Sequence, residues 1–168
     1  MIYEMTVNQF TKMLQNLTKI FDKAAQFADS KKIDMEVLLH SRLAPDQFHL
    51  IRQVQIACDT AKLGAARLAG KDAPTHEDNE KTLAELRNRI DSVTGYLKTF
   101  TAKDFAGCEE RRVTTPRWEG KSLSGFEFFT QHVVPNFYFH VTTTYAILRH
   151  NGVDIGKKDY LGELPFKK

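Results

Sequence analysis

An all-α fold, a four-helix bundle with a short extra helix and a small β-hairpin before the last long helix, is what the sequence predicts. Three observations carry it: four segments with apolar residues at alternating spacings of three and four, helix-start signals ahead of them, and similar segment lengths. At about 25 residues each, the helices run about 35 to 40 Å at a rise of 1.5 Å per residue, so they can lie side by side. The 168 residues are read as one domain, residues 1–168, a size at which folding buries about 70% of the surface of the unfolded chain.

The first helix is expected to open at Thr6, with Gln9 completing a capping box and Met5 and Phe10 stapling the entry. Val7, Phe10, Leu14, Leu17, Phe21, Ala24 and Ala28 form its apolar stripe, and it should run to about Asp29. "IDMEVLLHSRL" then reads as a short helical connection. Pro45 suits the first turn of the second helix, whose seam is Ile51, Val54, Cys58, Ala61, Ala65 and Leu68. Its small side chains admit a close neighbour, and Gly70 ends it.

Thr75 with Asp78 resembles the start of a third helix, striped by Leu83, Leu86, Ile90, Val93, Leu97 and Phe100, with Glu85 and Arg89 paired on its outer face. In "RRVTTPRWEGKSL" the period changes to that of two short strands joined around Glu119 and Gly120, with Pro116 at a strand edge or end. Ser124 and Glu127 make the strongest capping box, opening the fourth helix. "HNG" closes that helix, with Gly152 free to turn left-handed. The tail "VDIGKKDYLGELPF" is apolar enough to dock on the body.

A hydrophobic fraction of 42%, 27% charged residues and a net charge of +3 describe an ordinary globular chain. No run approaches the roughly 18 apolar residues of a membrane span, and the start lacks the pattern of a signal peptide, so the expectation is a cytoplasmic protein without membrane association. Its basic residues are scattered, which argues against nucleic acid. Cys58 and Cys108 are expected as reduced thiols.

The stretch "QHVVPNFYFHVTTTYAILRHNGV" holds three histidines. His132 and His140 are about 12 Å of axial rise and some 80° apart, too far to share one metal on a regular helix. His150 belongs to the last turn, where a protonated imidazole suits the helix dipole. Pro135 predicts a bend near Gln131 to Asn136, because it removes one main-chain bond and crowds the preceding turn. His140 remains as the candidate, with Asn136 one turn earlier and Tyr138 beside it. Arg52, Gln55 and Asp59 line the second helix, where Asp59 would orient His140 if the second and fourth helices face each other. The plain alternatives are a kinked core helix whose polar groups satisfy one another and an Arg52–Asp59 ion pair of little weight. His40, His49 and His76 read as surface residues. No nucleophile elbow, phosphate-binding loop, dinucleotide fingerprint or Cys–His dyad is present.

"SRLAPDQFHLIRQVQIACDTAK" and "PNFYFHVTTTYAILRHNGV", with "LAGKDAPTHED" between them and "GKKDYLG" after, resemble the bacterial domain-of-unknown-function family nineteen ninety-three over nearly the whole chain. That family is similar to the DinB/YfiT-like superfamily of helical bundles, many dimeric and expected to be metal-dependent, some acting as thiol transferases or hydrolases. The resemblance implies one ligating histidine from the second helix and an H-x-x-x-H pair from the fourth. Here that pair falls on Asn136 and His140, and the second helix offers Gln55 or Asp59, so one imidazole of three is carried over.

The expected function is therefore that of a DinB-like protein that binds a small polar molecule between the second and fourth helices, as a homodimer. The expected pocket is Arg52, Gln55, Asp59, Asn136, Tyr138 and His140. No cofactor and no tightly bound transition metal are expected; if a divalent metal binds, Asp59 and His140 hold it. The alternatives are a metal-dependent transferase or hydrolase with Tyr138 as proton donor, and a non-catalytic interaction protein.

Overall fold

The first helix starts earlier than its apparent cap. In the computed structural model, which describes residues 1–167, the Met5 N–H already bonds the Met1 carbonyl at 3.2 Å. The chain winds through a π-helical turn at Glu4–Gln9 into α1, Phe10–Lys31. Thr6 is consequently a buried residue inside the rod rather than its cap. Lys32, at φ 55°, ends α1 in the left-handed conformation.

The short α2, Met35–Leu39, is capped by Asp34, whose carboxylate accepts from the Glu36 N–H at 3.0 Å. Pro45 does not open the next helix. It lies in a turn closed by Gln47 N–H on the Ala44 carbonyl, and His49 caps α3, Leu50–Ala69, by accepting from the Arg52 N–H. Gly70, at φ 66°, ends α3 as expected.

α4 spans Leu83–Leu97 and starts at Thr82, not at Thr75. Thr82 and Glu85 form a full capping box, while the Asp78 carboxylate is engaged by Arg52 and Arg89 and caps nothing. Residues 71–82 form an irregular strap across α3 and α4. Glu85 is thus spent on the cap, and Arg89 is buried rather than outside.

The hairpin is short: β1, Arg112–Val113, pairs antiparallel with β2, Leu123–Ser124, with Arg112 opposite Ser124 and Val113 opposite Leu123. Pro116 sits in a 3₁₀ turn between them, Pro116–Trp118, followed by Glu119 and Gly120 at positive φ. The last long rod begins with α5, Gly125–Phe128, under the predicted Ser124–Glu127 box. It widens into a π turn at Phe129–Val133 and continues as α6, Val134–His150. Pro135 falls just after that turn, so the wider winding absorbs the missing donor where the bend was expected. α7, Lys157–Leu161, docks the tail on α1 through a Lys23–Asp159 ion pair of 2.7 Å and a bond from Asn16 to the Tyr160 carbonyl.

The long helices form a ring in the order α3, α4, α1, α6, so consecutive long helices α1 and α3 sit on a diagonal, as do α4 and α6. Both long connections therefore cross the bundle. Phe10, Phe21, Phe128 and Phe137 fill its centre, with Phe10 stacked on Phe137 at 4.0 Å between ring centres. α3 and α6 run antiparallel and close: a Cβ on Gly64 would stand 2.8 Å from a Val133 methyl, so glycine sets this approach. No helix among the described residues is long and apolar enough to cross a membrane.

Candidate functional site

α3 carries polar side chains on two faces, one toward α6 and one toward α4. Gln53 and Thr60 are seven residues apart, about two turns, and share the α6 face. Gln53 Oε1 is 2.6 Å from His140 Nδ1, and Asn136 Nδ2 donates to Thr60 Oγ1 at 2.7 Å. Gln53 also donates from Nε2 to the Phe48 carbonyl at 2.9 Å. A carbonyl can only accept, so the amide is oriented with its oxygen toward His140. His140 therefore carries its proton on Nδ1 and keeps a lone pair on Nε2. The residue is 7% exposed, and burial, with the nearby Arg52 charge, brings its pKa down to about 4. It is a neutral imidazole near pH 7, a poor general base and a fixed acceptor.

Asp59 is not its neighbour. Six residues from Gln53 is about 120° around the helix, which turns Asp59 toward α4. There its Oδ1 lies 2.9 Å from Lys62 Nζ and 3.0 Å from Arg89 Nη2. The Arg89 side chain is 1% exposed and is surrounded by Asp59, Asp78 and Glu80. Nη1 bonds Glu80 and the Glu77 carbonyl. Nη2 stands 3.0 Å from both Asp59 and Asp78, and its charge helps to hold the Asp78 carboxyl low. Burial opposes the charge on Arg89, but the Glu80 hydrogen bond and the Asp59 and Glu80 charges outweigh it and raise its pKa. Arg52 and Gln55 belong to the same network, Arg52 paired with Asp78 and Gln55 donating to Glu80 at 2.8 Å. The alternative of an Arg52–Asp59 ion pair does not hold either, since Arg52 pairs with Asp78 and Asp59 with Lys62 and Arg89.

The strap also carries His76, which joins Lys62 Nζ at 2.8 Å to Ser92 Oγ at 2.9 Å. An ammonium only donates, so Nδ1 accepts from Lys62 and Nε2 donates to Ser92. This tautomer cannot take a proton from the serine, so the trio is no nucleophilic dyad. His76 and His49 are half-buried with these roles rather than free surface residues, whereas His40 is exposed. His132 stacks on Phe128, 5.4 Å between ring centres, beside Trp118, and His150 is exposed in the last turn of α6. Both thiols are buried, and burial pushes Cys58 up to about 12 and Cys108 up to about 11.

Tyr138 turns toward α1, edge-on to Phe10 at 6.1 Å. It lines an open groove of about 440 Å³ with Leu43, Phe139, Thr142, Thr143 and Ala146. The six sequence candidates thus divide: Arg52, Gln55 and Asp59 under the strap, Asn136 and His140 on the α3–α6 seam, Tyr138 on the groove. Sequence reasoning missed Gln53, Thr60 and the buried role of Arg89. The signals were the seven-residue spacing of Gln53 and Thr60, and the place of Arg89 between Leu86 and Ile90 on the buried stripe.

Among the described residues, no three His, Cys, Asp or Glu side chains come together to hold a metal. Where the resemblance implies three histidines, the seam offers one imidazole, with its Nδ1–H bonded to Gln53, and an amide bonded to Thr60. The set does not fit a tightly held transition metal.

The family model described as "Domain of unknown function (DUF1993)" matches residues 2–161. The crystal structure of a DinB family member protein from Shewanella denitrificans, at 1.83 Å resolution, is 62% identical to the chain, with a TM-score of 0.98 over 100% of this chain and 96% of that one. No curated protein matches. The chain therefore belongs to the DUF1993 family and shares the fold of a DinB family member.

Proposed function

We propose that the protein binds a small molecule against α6 beside His140, and that it does so without a tightly held transition metal. One observation carries this reading: Gln53, anchored by the Phe48 carbonyl, holds His140 as a neutral imidazole with Nδ1 protonated and Nε2 as acceptor. Such a group recognises a donor on a ligand rather than delivering or removing protons. The adjoining groove is lined by the Tyr138, Thr142 and Thr143 side chains together with Leu43, Phe139 and Ala146, and no charged side chain lines it. It suits a molecule with a neutral polar group and an apolar body.

Metal analysis of protein purified without added metal tests the first half of the reading. Substoichiometric zinc, nickel and iron, unchanged in His140→Ala, is the expected result. Stoichiometric metal that is lost in His140→Ala overturns it. For the second half, small neutral alcohols and amides are screened by the amide spectra of the protein. Shifts centred on residues 138–146 that vanish in Phe139→Ala support the groove, and shifts centred elsewhere refute it.

A further inference from the structure

Residues 72–81 of the strap make no main-chain to main-chain hydrogen bond among the described residues, so α3 and α4 hold this segment by side chains. The ties fall into two sets. In the second half of the strap, Arg89 Nη1 donates to the Glu77 carbonyl at 3.2 Å and to Glu80 at 3.0 Å, Gln55 donates to Glu80, and Arg52 and Arg89 pair with Asp78. The first half is held far more lightly. Tyr96 donates to the Asp72 carbonyl at 2.6 Å, and after it Ala73, Pro74 and Thr75 make no hydrogen bond among the described residues. Between Asp72 and Glu77 only the His76 ring is bonded to the helices, to Lys62 of α3 and Ser92 of α4. Lys62, under that ring, is 3% exposed.

His76 cannot take a proton where it lies. Nε2 donates to Ser92 Oγ at 2.9 Å, and the lone pair of Nδ1 accepts from the Lys62 ammonium at 2.8 Å. An imidazolium has two donors and no acceptor, so protonation breaks the Lys62 bond and sets two cations in contact. Burial is the largest influence against charge on the ring, followed by Lys62 on α3 and Arg89 on α4. Asp59 on α3 and Glu80 on the strap favour the charge, but both carboxylates are already engaged, Asp59 by Lys62 and Arg89, Glu80 by Arg89 and Gln55. The balance lowers the imidazole from its ordinary 6.5.

A ring swung away from Lys62 is free of these constraints and takes a proton at the ordinary value. Closure is therefore complete above about pH 6.5 and weakens as pH falls below it. The second half of the strap answers differently. Burial works against the Asp78 carboxylate, yet the Arg52 hydrogen bond and charge, with help from Arg89, hold its carboxyl below the ordinary value. Those ties outlast the first on acidification.

We propose that His76 is a pH-released latch, which near neutral pH pins residues 73–76 over Lys62 and on acidification lets them go, while Arg89 keeps the second half of the strap in place. The latch is independent of the function proposed above, since none of these side chains lines the groove beside His140. The test follows backbone amide relaxation in the full chain between about pH 7.5 and about pH 5.5, alongside the titration of the His76 imidazole. The open-to-closed ratio of residues 73–76 should rise by up to about tenfold over that range, the limit for a proton that only the open ring binds. Relaxation of residues 78–82 should stay as it is. His76→Asn keeps an acceptor for Lys62 and does not titrate in this range, so it should abolish the pH response. Residues 73–76 whose motion is the same across the range overturn the proposal, as does an unaltered response in His76→Asn. A transition that follows the His140 imidazole instead of His76, or that frees residues 73–82 as one piece, overturns it as well.

Discussion

The two polar faces of α3 solve the same problem in opposite ways. Toward α6, Gln53 and Thr60 meet His140 and Asn136 through neutral hydrogen bonds in a seam closed by Gly64. Toward α4, Asp59 and Lys62 join Arg89, Asp78 and Glu80 in a charged network roofed by the strap of residues 71–82. The neutral seam brings its helices into close contact and leaves one imidazole nitrogen available. The charged seam has Arg89 at its centre, 1% exposed, with the Asp59 and Asp78 carboxylates at a rim 29% and 35% exposed. Helix approach therefore governs which polar chemistry each face can hold: neutral pairs fit where backbones nearly touch, while ion networks need bulk and a wet edge.

The largest effect is expected at the buried centre of the charged face. Arg89→Met removes the one cation shared by Asp59, Asp78 and Glu80 and leaves Glu80, 10% exposed, without its charged partner. Breaking a buried pair from one side costs about 3 to 5 kcal/mol, which urea unfolding would read directly. A loss below about 1 kcal/mol would show that the network behaves as a surface feature and would erase the contrast.

Why the sequence revealed the bundle but not these partners follows from particular residues. The apolar stripes of α1 and α3, the stripe of α4 from Leu86 to Leu97 and the Ser124–Glu127 box depend on local spacing and are found where expected, whereas Leu83 is half-buried and Phe100 lies beyond the end of α4. Thr6, Pro45 and Thr75 failed because residues of start-signal type occur more often than helix starts, and tertiary partners decide among them. Thr82 and Glu85 offered the same box pattern and won once Asp78 was held by Arg52 and Arg89. The separation of His132, His140 and His150 was a matter of helical arithmetic. The partner of His140 was not, because choosing among Gln53, Gln55 and Asp59 requires the rotation of α3, and that is set across the bundle where Gly64 meets Val133.

The neutral seam should show itself in the pH dependence of stability. His140 has a folded pKa of about 4, against about 6.5 in an unfolded chain. Between these values the unfolded chain binds the extra proton, so stability is complete above about pH 6.5 and falls as pH drops toward about 4. Gln53→Leu leaves the His140 Nδ1–H without its acceptor and should cost about 1 to 3 kcal/mol at pH 7. His140→Gln should flatten the pH profile in that window. The charged face behaves differently. Burial alone would raise the Asp78 carboxyl, but its hydrogen bond and attraction to Arg52, with help from Arg89, lower it, so its contribution is lost only on further acidification. An unchanged slope between pH 4 and 6.5 in His140→Gln would place the titration elsewhere.

The smallest effect is expected at the rim. Arg52 reaches both Asp78 and Gln55, yet its side chain is 31% exposed and its guanidinium faces water as well as partners. Arg52→Ala should lower stability by no more than about 1 kcal/mol, since an exposed pair gains little and salt screens what it gains. It should also relieve part of the repulsion on protonated His140 and raise that pKa slightly, an effect readable from the imidazole proton shifts. That second measurement distinguishes a merely decorative rim from one coupled through the helix. If the His140 titration does not move when Arg52 is removed, the two faces of α3 are electrically separate, and the neutrality of His140 is the work of burial alone.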